Sequence, residues 1–425
     1  MICRSKTLIY NNSAHKSTKI LLCAVLFIFC FANNQKTFSQ ISTNDTNINR
    51  IFASKTLQST YIALPLFTQS IIYKNHNFNF RDIRQKTIPN FRYDYDTYLQ
   101  FAPLTLTFAL KYFGLQSKSN WSELGVSSSL SMGLGLGLVI LLKDNIEERR
   151  PEYAAMKSFP SGHTTIAFIG ASILSKEYKD NYPYLSIAGY TTAGITGLSR
   201  IMNNKHWMHD VLFGAGLGIL ATEFSYAVTD LIFRNNSDKK FTIDFEDFRN
   251  EKPHYLSPYL AYNHNFFQNN RKLKNNTNFS IDNGVGIGLE GTYFFNKYIG
   301  ITAKAKADNY KVRNQNIWWP EDSLFSVYSL DLGIALAYPL IHRVFIGTRA
   351  TLGVNHIDEN PLQDDVPMQK QNNLQYSFGI FSNIWTDKHT FLRLYADYTH
   401  TSINIENKNY AFPTLAIGST IGWHF

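Results

Sequence analysis

The chain of 425 residues is long enough for two or three domains. Hydrophobic residues make up 44% and aromatic residues 15% of the sequence, and these contents exclude an intrinsically disordered chain. The formal net charge of +9 is modest for this length and no compact block of Lys and Arg dominates, so the composition does not indicate nucleic-acid binding. It suits a protein that handles phosphates or lies near anionic lipid.

The first 39 residues have the layout of a secretory signal peptide. Basic residues precede the apolar stretch ILLCAVLFIFCFA, and polar residues follow up to a predicted cleavage near Ser39. All three cysteines lie in the first thirty residues, so the mature protein is expected to contain none. One alternative is lipid attachment at Cys30, which the bulky Phe27-Ile28-Phe29 before it disfavours. The other is an uncleaved membrane anchor, disfavoured because the apolar core is shorter than the ~20 residues that a span needs.

Residues 95–233 contain long apolar runs separated by short polar loops, a pattern typical of a helical bundle. The stretch before them, 40–94, is assigned to an N-terminal extension. The stretch after them, 234–254, is charged and polar and is predicted to be a linker.

From residue 255 onwards the pattern changes to an alternation with a period of two. In VYSLDLGIALAYPL, large apolar side chains fall on one face and small or polar side chains on the other. The same alternation recurs to the end of the chain. It predicts eight strands, near residues 255–264, 284–295, 298–306, 327–340, 343–354, 374–385, 390–400 and 413–425.

These strands predict an eight-stranded antiparallel transmembrane β-barrel over residues 255–425, so the expected fold class is multidomain, α plus β. The connections are long and rich in Asn after the first, third, fifth and seventh strands, and short after the others. Outer-membrane barrels have an even strand number, short turns inside and long loops outside. The last strand ends in Phe425, and a terminal aromatic residue is common in such proteins. The alternative is a soluble eight-stranded barrel or sandwich with its core on the apolar face.

Three short polar motifs interrupt the helical region. Taken singly each is a weak signal, because a Lys or an Arg near a helix end usually lies on a solvated face and a Ser in a turn can simply cap the next helix. Together and in this order they form a highly specific pattern. In chain order they are Lys143-x6-Arg150-Pro151, Pro160-Ser161-Gly162-His163 and Ser199-Arg200-x5-His206-x3-Asp210.

This pattern resembles the signature of the type 2 phosphatidic acid phosphatase superfamily, which also includes bacterial acid phosphatases and vanadium haloperoxidases. Every signature position is matched without substitution. The resemblance covers roughly residues 95–233 and does not extend to the predicted barrel. It implies a helical domain that hydrolyses phosphate esters or anhydrides through a phosphohistidine, without a metal.

The residue types suit phosphate binding on chemical grounds. A phosphoryl-transfer transition state spreads negative charge over its oxygens, and a protein without a metal must hold that charge with fixed cations and N–H donors. No cofactor is expected, because no cluster with metal-ligand spacing accompanies the motifs. The predicted phosphate-binding groups are the side chains of Lys143, Arg150, Arg200 and Ser161 and the backbone at Gly162.

Two histidines are predicted to carry the chemistry. Asp210 lies four residues after His206, so on one helix face it can accept from one ring nitrogen and leave the other free to attack phosphorus. His206 is therefore the predicted nucleophile. His163 begins a different helix and is the predicted general acid that protonates the leaving oxygen. His209 and Trp207 are interpreted as pocket wall or helix packing.

The expected function is a phosphatase of the bacterial cell envelope that acts at the periplasmic side on a phosphorylated lipid or a small phosphoester, with membrane lipids as its other partners. Residues 124–142 are long enough to span a bilayer but contain four Ser and four Gly, so they are marginal for insertion. True inner-membrane spans are the alternative. Two further function classes stay open: a vanadate-dependent haloperoxidase, and a pore or adhesin formed by the barrel beside a relic phosphatase domain.

Overall fold

The structure is a computed structural model of the chain. The predicted signal peptide, the first part of the predicted linker and Phe425 lie outside the residues that it describes. The described ranges are 55–74, 81, 84–85, 90–152, 156–233, 247–267, 271–272, 278–314, 323–357, 370–385, 389–405 and 408–424.

The first part of the described chain is a helical bundle, as predicted. Its helices are α1 (Lys55–Lys74), α2 (Asp96–Leu99), α3 (Ala102–Tyr112), α4 (Trp121–Asn145), α5 (Gly162–Tyr178), α6 (Pro183–Met202) and α7 (Met208–Ile232). Helix α5 is the central one, since most of its residues are buried and it packs against α3, α4, α6 and α7. Among the described helices, α4 and α7 are long and apolar enough to cross a membrane, and α7 is largely buried in the bundle.

Helix α7 approaches α5 closely at two glycines. A Cβ on Gly214 would lie 2.7 Å from the carbonyl oxygen of Ser161, and a Cβ on Gly218 would lie 2.6 Å from that of Thr165. These distances are too short for any side chain, so only glycine allows this packing. As a result the backbone N–H of Ser161 donates to the carbonyl oxygen of Asp210 at 3.1 Å, which joins the second motif to the third.

The second part of the chain is a closed antiparallel β-barrel, in which neighbouring strands pair in order and the last pairs with the first. This confirms the predicted eight strands. They are β1 (Tyr255–Asn265), β4 (Gly284–Phe294), β5 (Ile299–Asn314), β6 (Ser323–Ile341), β7 (Val344–Ile357), β8 (Gln371–Trp385), β9 (Thr390–Ile405) and β10 (Lys408–Trp423). The first long connection contains two short strands, β2 (Arg271–Lys272) and β3 (Asn278–Ile281). Strand β2 pairs with β3, and β3 pairs with the end of β5.

The apolar face of the barrel points outwards. In β6, Leu330, Leu332 and Ile334 are 55%, 59% and 58% exposed, whereas Asp331 and Ala335 are buried. A soluble barrel would bury its apolar face, so that alternative is excluded. The observed alternation, apolar outside and polar inside, is that of a transmembrane β-barrel.

The seventh connection is shorter than predicted. Strand β9 continues to Ile405, which pairs with Lys408 at the start of β10, so only two residues join the strands. The reason is that Ile403, Ile405 and Phe412 point into the barrel and are buried in an apolar cluster at this end. The prediction of a long loop there was wrong because it ended the strands before these residues.

Charged side chains fill the middle of the barrel. Arg349 of β7 pairs with Glu290 of β4 and, at 2.5 Å, with Asp397 of β9. Arg393 of β9 lies 2.5 Å from Glu290, and Lys304 of β5 lies 3.2 Å from Asp397. All five side chains are buried. They cross the lumen and occupy it, which agrees with the narrow interior of an eight-stranded barrel.

Helix α1, which lies in the predicted N-terminal extension, packs between the bundle and the barrel. The rings of Phe67 and Phe213 of α7 lie 4.7 Å apart. On the barrel side, Gln69 Nε2 donates to the carbonyl oxygens of Leu260, at 3.5 Å, and Ser419. Helix α1 therefore contacts both folded parts of the chain.

Candidate active site

The predicted site residues lie at the ends of four helices that meet in one region. Lys143 is in the last turn of α4, Arg150 follows in the α4–α5 connection, Ser161, Gly162 and His163 begin α5, Arg200 is in the last turn of α6, His206 precedes α7 and Asp210 is in its first turn. The pKa of His163 is lowered by burial and by the nearby charges of Arg200, His206 and Arg150. The pKa of His206 is likewise lowered by burial and by the charges of Lys143 and Arg200.

His206 and Asp210 form a buried pair. His206 Nδ1 lies 3.3 Å from Asp210 Oδ2, and the two side chains are 3% and 0% exposed. The same carboxylate oxygen accepts hydrogen bonds from the Ser158 hydroxyl at 2.5 Å and from the backbone N–H of Trp207 at 3.0 Å. Because Asp210 holds Nδ1, Nε2 is the ring atom available for attack on phosphorus.

The turn before α5 is built as a helix start. Ser161 is the N-cap residue, and its hydroxyl lies 2.8 Å from the Thr164 hydroxyl and 3.5 Å from the Thr164 backbone nitrogen. A Cβ on Gly162 would meet only the Val139 side chain, at 3.6 Å, among the described residues. The protein itself therefore does not require glycine at 162, and its predicted role in phosphate approach stays a prediction.

Two arginines present unpaired donors. Arg200 is 8% exposed, and one terminal nitrogen lies 3.0 Å from Oδ2 of the buried Asp96. Arg150 lies 3.8 Å from Glu152. The Nε atoms of both arginines are buried and, within the described part of the chain, have no hydrogen-bond partner. Buried unpaired donors are costly, so an anion bound between these arginines would stabilise them.

Lys143 faces the same region from α4. Its ammonium donates to the carbonyl oxygens of Lys157 at 2.8 Å and Ser158 at 3.2 Å. These bonds tie the end of α4 to the segment before the Pro-Ser-Gly-His turn. Because an ammonium group has three donors, one of them can still face an anion.

Both catalytic candidates are neutral imidazoles at neutral pH. Burial, partly offset by the hydrogen bond to Asp210, lowers the pKa of His206 to about 4. Burial and the charge of Arg200 lower the pKa of His163 to about 4 as well. A neutral His206 suits a nucleophile. A bound phosphate would add negative charge beside His163 and so favour its protonated, acidic form.

The sequence did not identify four residues that complete the site. Asp96, from α2, pairs with Arg200, and Ser158 donates to Asp210. His209, interpreted as pocket wall or helix packing, is 1% exposed and stacks on Phe159, but its Nε2 also lies 3.0 Å from Glu148 Oε1 and 3.2 Å from Asp210 Oδ1. The sequence contained one usable signal, the position of His209 next to Asp210. It contained none for Asp96, which lies more than a hundred residues from its partner Arg200.

Glu148, His209 and Asp210 also form a group that the sequence did not predict. One ligand atom from each lies within 4.8 Å of the others, a spacing that could hold a metal ion. The expectation that no such cluster accompanies the motifs is therefore corrected. Within the group, His209 Nε2 lies at ion-pair distance from both carboxylates.

Comparison with known proteins agrees with this geometry. The PAP2 superfamily matches residues 124–234. The lipid A 1-phosphatase of Porphyromonas gingivalis (strain ATCC 33277) is 40% identical over 174 residues, which are 41% of this chain and 39% of that protein. The chain thus matches about two fifths of the length of this relative.

Two solved structures are each similar to a part of the chain. The outer membrane protein OprG from Pseudomonas aeruginosa is 13% identical, with a TM-score of 0.31, over 41% of this chain and 96% of its own. LpxE from Aquifex aeolicus is 23% identical, with a TM-score of 0.28, over 35% of this chain and 93% of its own. Residues 124–234 thus match the PAP2 superfamily, and a closed eight-stranded β-barrel follows that domain in the chain.

Proposed function

We propose that the chain is a metal-independent phosphatase that hydrolyses phosphate monoesters or pyrophosphates through a phosphohistidine. The observation that carries this proposal is the buried His206–Asp210 pair in the same region as the unpaired Nε donors of Arg150 and Arg200. The pair offers a nucleophile and the arginines offer an anion cradle. Phosphoryl transfer needs both.

In the first step, Nε2 of His206 attacks phosphorus and the bond from phosphorus to the leaving oxygen breaks. Asp210 accepts the Nδ1–H and stabilises the positive charge on the ring. Protonated His163 gives its proton to the leaving oxygen. The arginines and Lys143 stabilise the negative charge on the equatorial oxygens.

In the second step, water attacks the phosphohistidine. His163, now neutral, accepts a proton from this water, and the P–N bond to His206 breaks. Inorganic phosphate leaves, and both histidines return to their starting states. The low pKa of His163, about 4, makes it a weak base, so the phosphate beside it is needed to hold the proton that it receives.

We further propose that the substrate is a phosphorylated lipid. The barrel exposes an apolar band suited to a bilayer, which holds the attached helical domain near lipid headgroups. On α4, Leu130, Ile140 and Leu141 are exposed and suited to contact with a membrane. The related protein from P. gingivalis acts on lipid A, which is itself a phosphorylated lipid.

We propose the outer membrane as the site of the barrel and the periplasm as the side on which the helical domain works. Strand β1 begins and β10 ends at the barrel end with the short connections, such as the one between Phe294 and Ile299. In outer-membrane barrels this end faces the periplasm. The predicted signal peptide supports export.

The side can be tested by labelling single cysteines in whole cells with a maleimide that does not cross membranes. Gln116→Cys, in the α3–α4 connection, should react only after the outer membrane is permeabilised. Asn409→Cys, near the long-connection end, is the control and should react in intact cells. Reaction of Gln116→Cys in intact cells would contradict the proposal and favour a helical domain level with the cell surface. In that case the cluster of Leu212 and Val285, near the barrel end with the long connections, would account for a helical domain at the height of the cell surface.

The activity is tested with purified protein in detergent on a panel of lipid and soluble phosphates. We expect phosphate release from at least one lipid phosphate, and none from His206→Ala. The matched control is His264→Ala, an exposed histidine of β1 far in sequence from the site. Bromide oxidation with vanadate in place of phosphate release would favour a haloperoxidase instead.

A further inference from the structure

We propose that His209, held by Glu148, is a positioning residue that fixes the carboxylate of Asp210 for its contact with the nucleophile. This inference rests on the proposed function, in which His206 attacks phosphorus. His209 and Glu148 lie within the signature motifs only at positions that the signature leaves unspecified.

The two oxygens of Asp210 have different neighbours. Oδ2 faces His206 and accepts from Ser158 and the Trp207 backbone. Oδ1 is buried and lies 3.2 Å from His209 Nε2. A carboxylate can turn about its Cβ–Cγ bond, and three contacts on one oxygen alone would still allow it to tilt. The contact of His209 with the second oxygen restrains this rotation.

His209 is itself held on several sides. Its ring stacks on Phe159, with centroids 5.5 Å apart and planes 18° apart. Its Nε2 lies 3.0 Å from Glu148 Oε1, and its backbone carbonyl accepts from the Ser70 hydroxyl of α1 at 2.8 Å. Glu148 is in turn 3.6 Å from the ammonium of Lys74, also in α1. Turning the imidazole away from Asp210 would break its stacking on Phe159 and its contact with Glu148.

The ammonium of Lys74 contacts the carboxylate of Glu148, and His209 Nε2 lies between the carboxylates of Glu148 and Asp210. Without the imidazole the two carboxylates would face each other, and like charges in such a position repel. His209 thus serves both to orient Asp210 and to separate it from Glu148.

The phosphate contacts assigned above come from other residues. Loss of His209 should therefore lower the rate of His206 phosphorylation and leave substrate binding intact. The loss of one polar contact to a buried carboxylate corresponds to a fall of about 10- to 100-fold in kcat.

The test compares His209→Leu with His209→Gln in full-length protein in detergent. A Gln amide has two N–H donors and can serve both carboxylates, whereas Leu fills a similar space without a donor. We expect His209→Leu to lose about 10- to 100-fold in kcat with KM unchanged, and His209→Gln to recover most of that loss. Glu148→Gln should show a smaller fall in kcat. The control Lys176→Met breaks an ion pair with Glu223 at 2.7 Å on the far part of α5 and should change neither constant.

Equal losses for His209→Leu and His209→Gln, or a raised KM with an unchanged kcat, would overturn the positioning role. A stoichiometric divalent metal in the wild type that is lost in His209→Leu would also overturn it, because the group would then be a metal site. If the wild type is active and His209→Leu has the same kcat, the positioning role is rejected but the proposed function is not. A wild type that forms no phosphohistidine rejects the proposed function and this inference together.

Discussion

The Ser158 hydroxyl donates a 2.5 Å hydrogen bond to Asp210 Oδ2, the same oxygen that lies 3.3 Å from His206 Nδ1. Ser158 lies just before the Pro-Ser-Gly-His turn, so this bond links the turn to the nucleophile. We expect Ser158→Ala to lower kcat by about 10-fold, because one charge-assisted bond to a buried carboxylate is lost. Asp210→Asn should cost more, since it removes the negative charge that stabilises the phosphorylated ring. Steady-state kinetics of both variants checks this order; a larger loss in Ser158→Ala would contradict it.

The second prediction concerns His163 and the leaving group. An alkyl phosphate releases a strongly basic oxygen, so His163→Ala should lower its turnover by about 10²- to 10⁴-fold. A nitrophenyl phosphate leaves readily without a proton, so most of that loss should disappear if bond cleavage limits the rate. If His163→Ala lowered turnover equally for the two substrates, the general-acid role of His163 would be contradicted.

The pH dependence follows from the lowered pKa of His163, about 4 in the free enzyme. A general acid must be protonated, and above its pKa the protonated fraction falls about tenfold for each pH unit. The ratio of kcat/KM for the alkyl substrate to that for the nitrophenyl substrate should therefore fall as pH rises from 5 to about 8. In His163→Ala the ratio should be independent of pH. A wild-type ratio that stays constant over this range would exclude His163 as the acid.

Vanadate and chelators test the metal-free mechanism. Vanadate resembles the phosphoryl group in its transition state, so it should inhibit by occupying the cradle of Arg150, Arg200 and Lys143. Activity should persist in chelator, since each step is assigned to a side chain. Loss of activity in chelator that a divalent ion restores would instead assign a metal to Glu148, His209 and Asp210.

The barrel prediction concerns its ion pairs. Arg349→Met leaves the buried Glu290 and Asp397 short of a partner, and breaking a buried pair in this way costs about 3–5 kcal/mol. The temperature at which the purified barrel loses its compact gel mobility should fall. The control is Lys297→Met, at a half-buried lysine in the connection between β4 and β5. The same filled lumen predicts no steady conductance in planar bilayers, and an open-pore current from the wild type would favour the pore alternative.

The sequence predicted the features that repeat or that have fixed spacing. The period-two alternation gave all eight barrel strands and their outward apolar face. The three motifs identified residues that the structure brings together from four helix ends, because a spacing such as His206 to Asp210 acts within one helix turn.

Features that depend on long-range packing could not be predicted in this way. Asp96 meets Arg200 only because α2 folds onto the end of α6, and no local pattern marks that pairing. The sequence analysis assigned helix α1 to an N-terminal extension, but the helix packs against α7 through Phe67. Gly214 looks like an ordinary small residue in an apolar helix until its closeness to the Ser161 carbonyl is known.

The central claim, a phosphohistidine on His206, is tested most directly by trapping it. The protein is mixed with a substrate radiolabelled at phosphate, denatured rapidly at alkaline pH because phosphohistidine is labile in acid, and analysed for covalent label. We expect label on His206 in the wild type and none in His206→Ala. His163→Ala with nitrophenyl phosphate should accumulate more label than the wild type, because it lacks the base that activates water. Label in His206→Ala, or its absence from an actively turning-over wild type, would contradict the account.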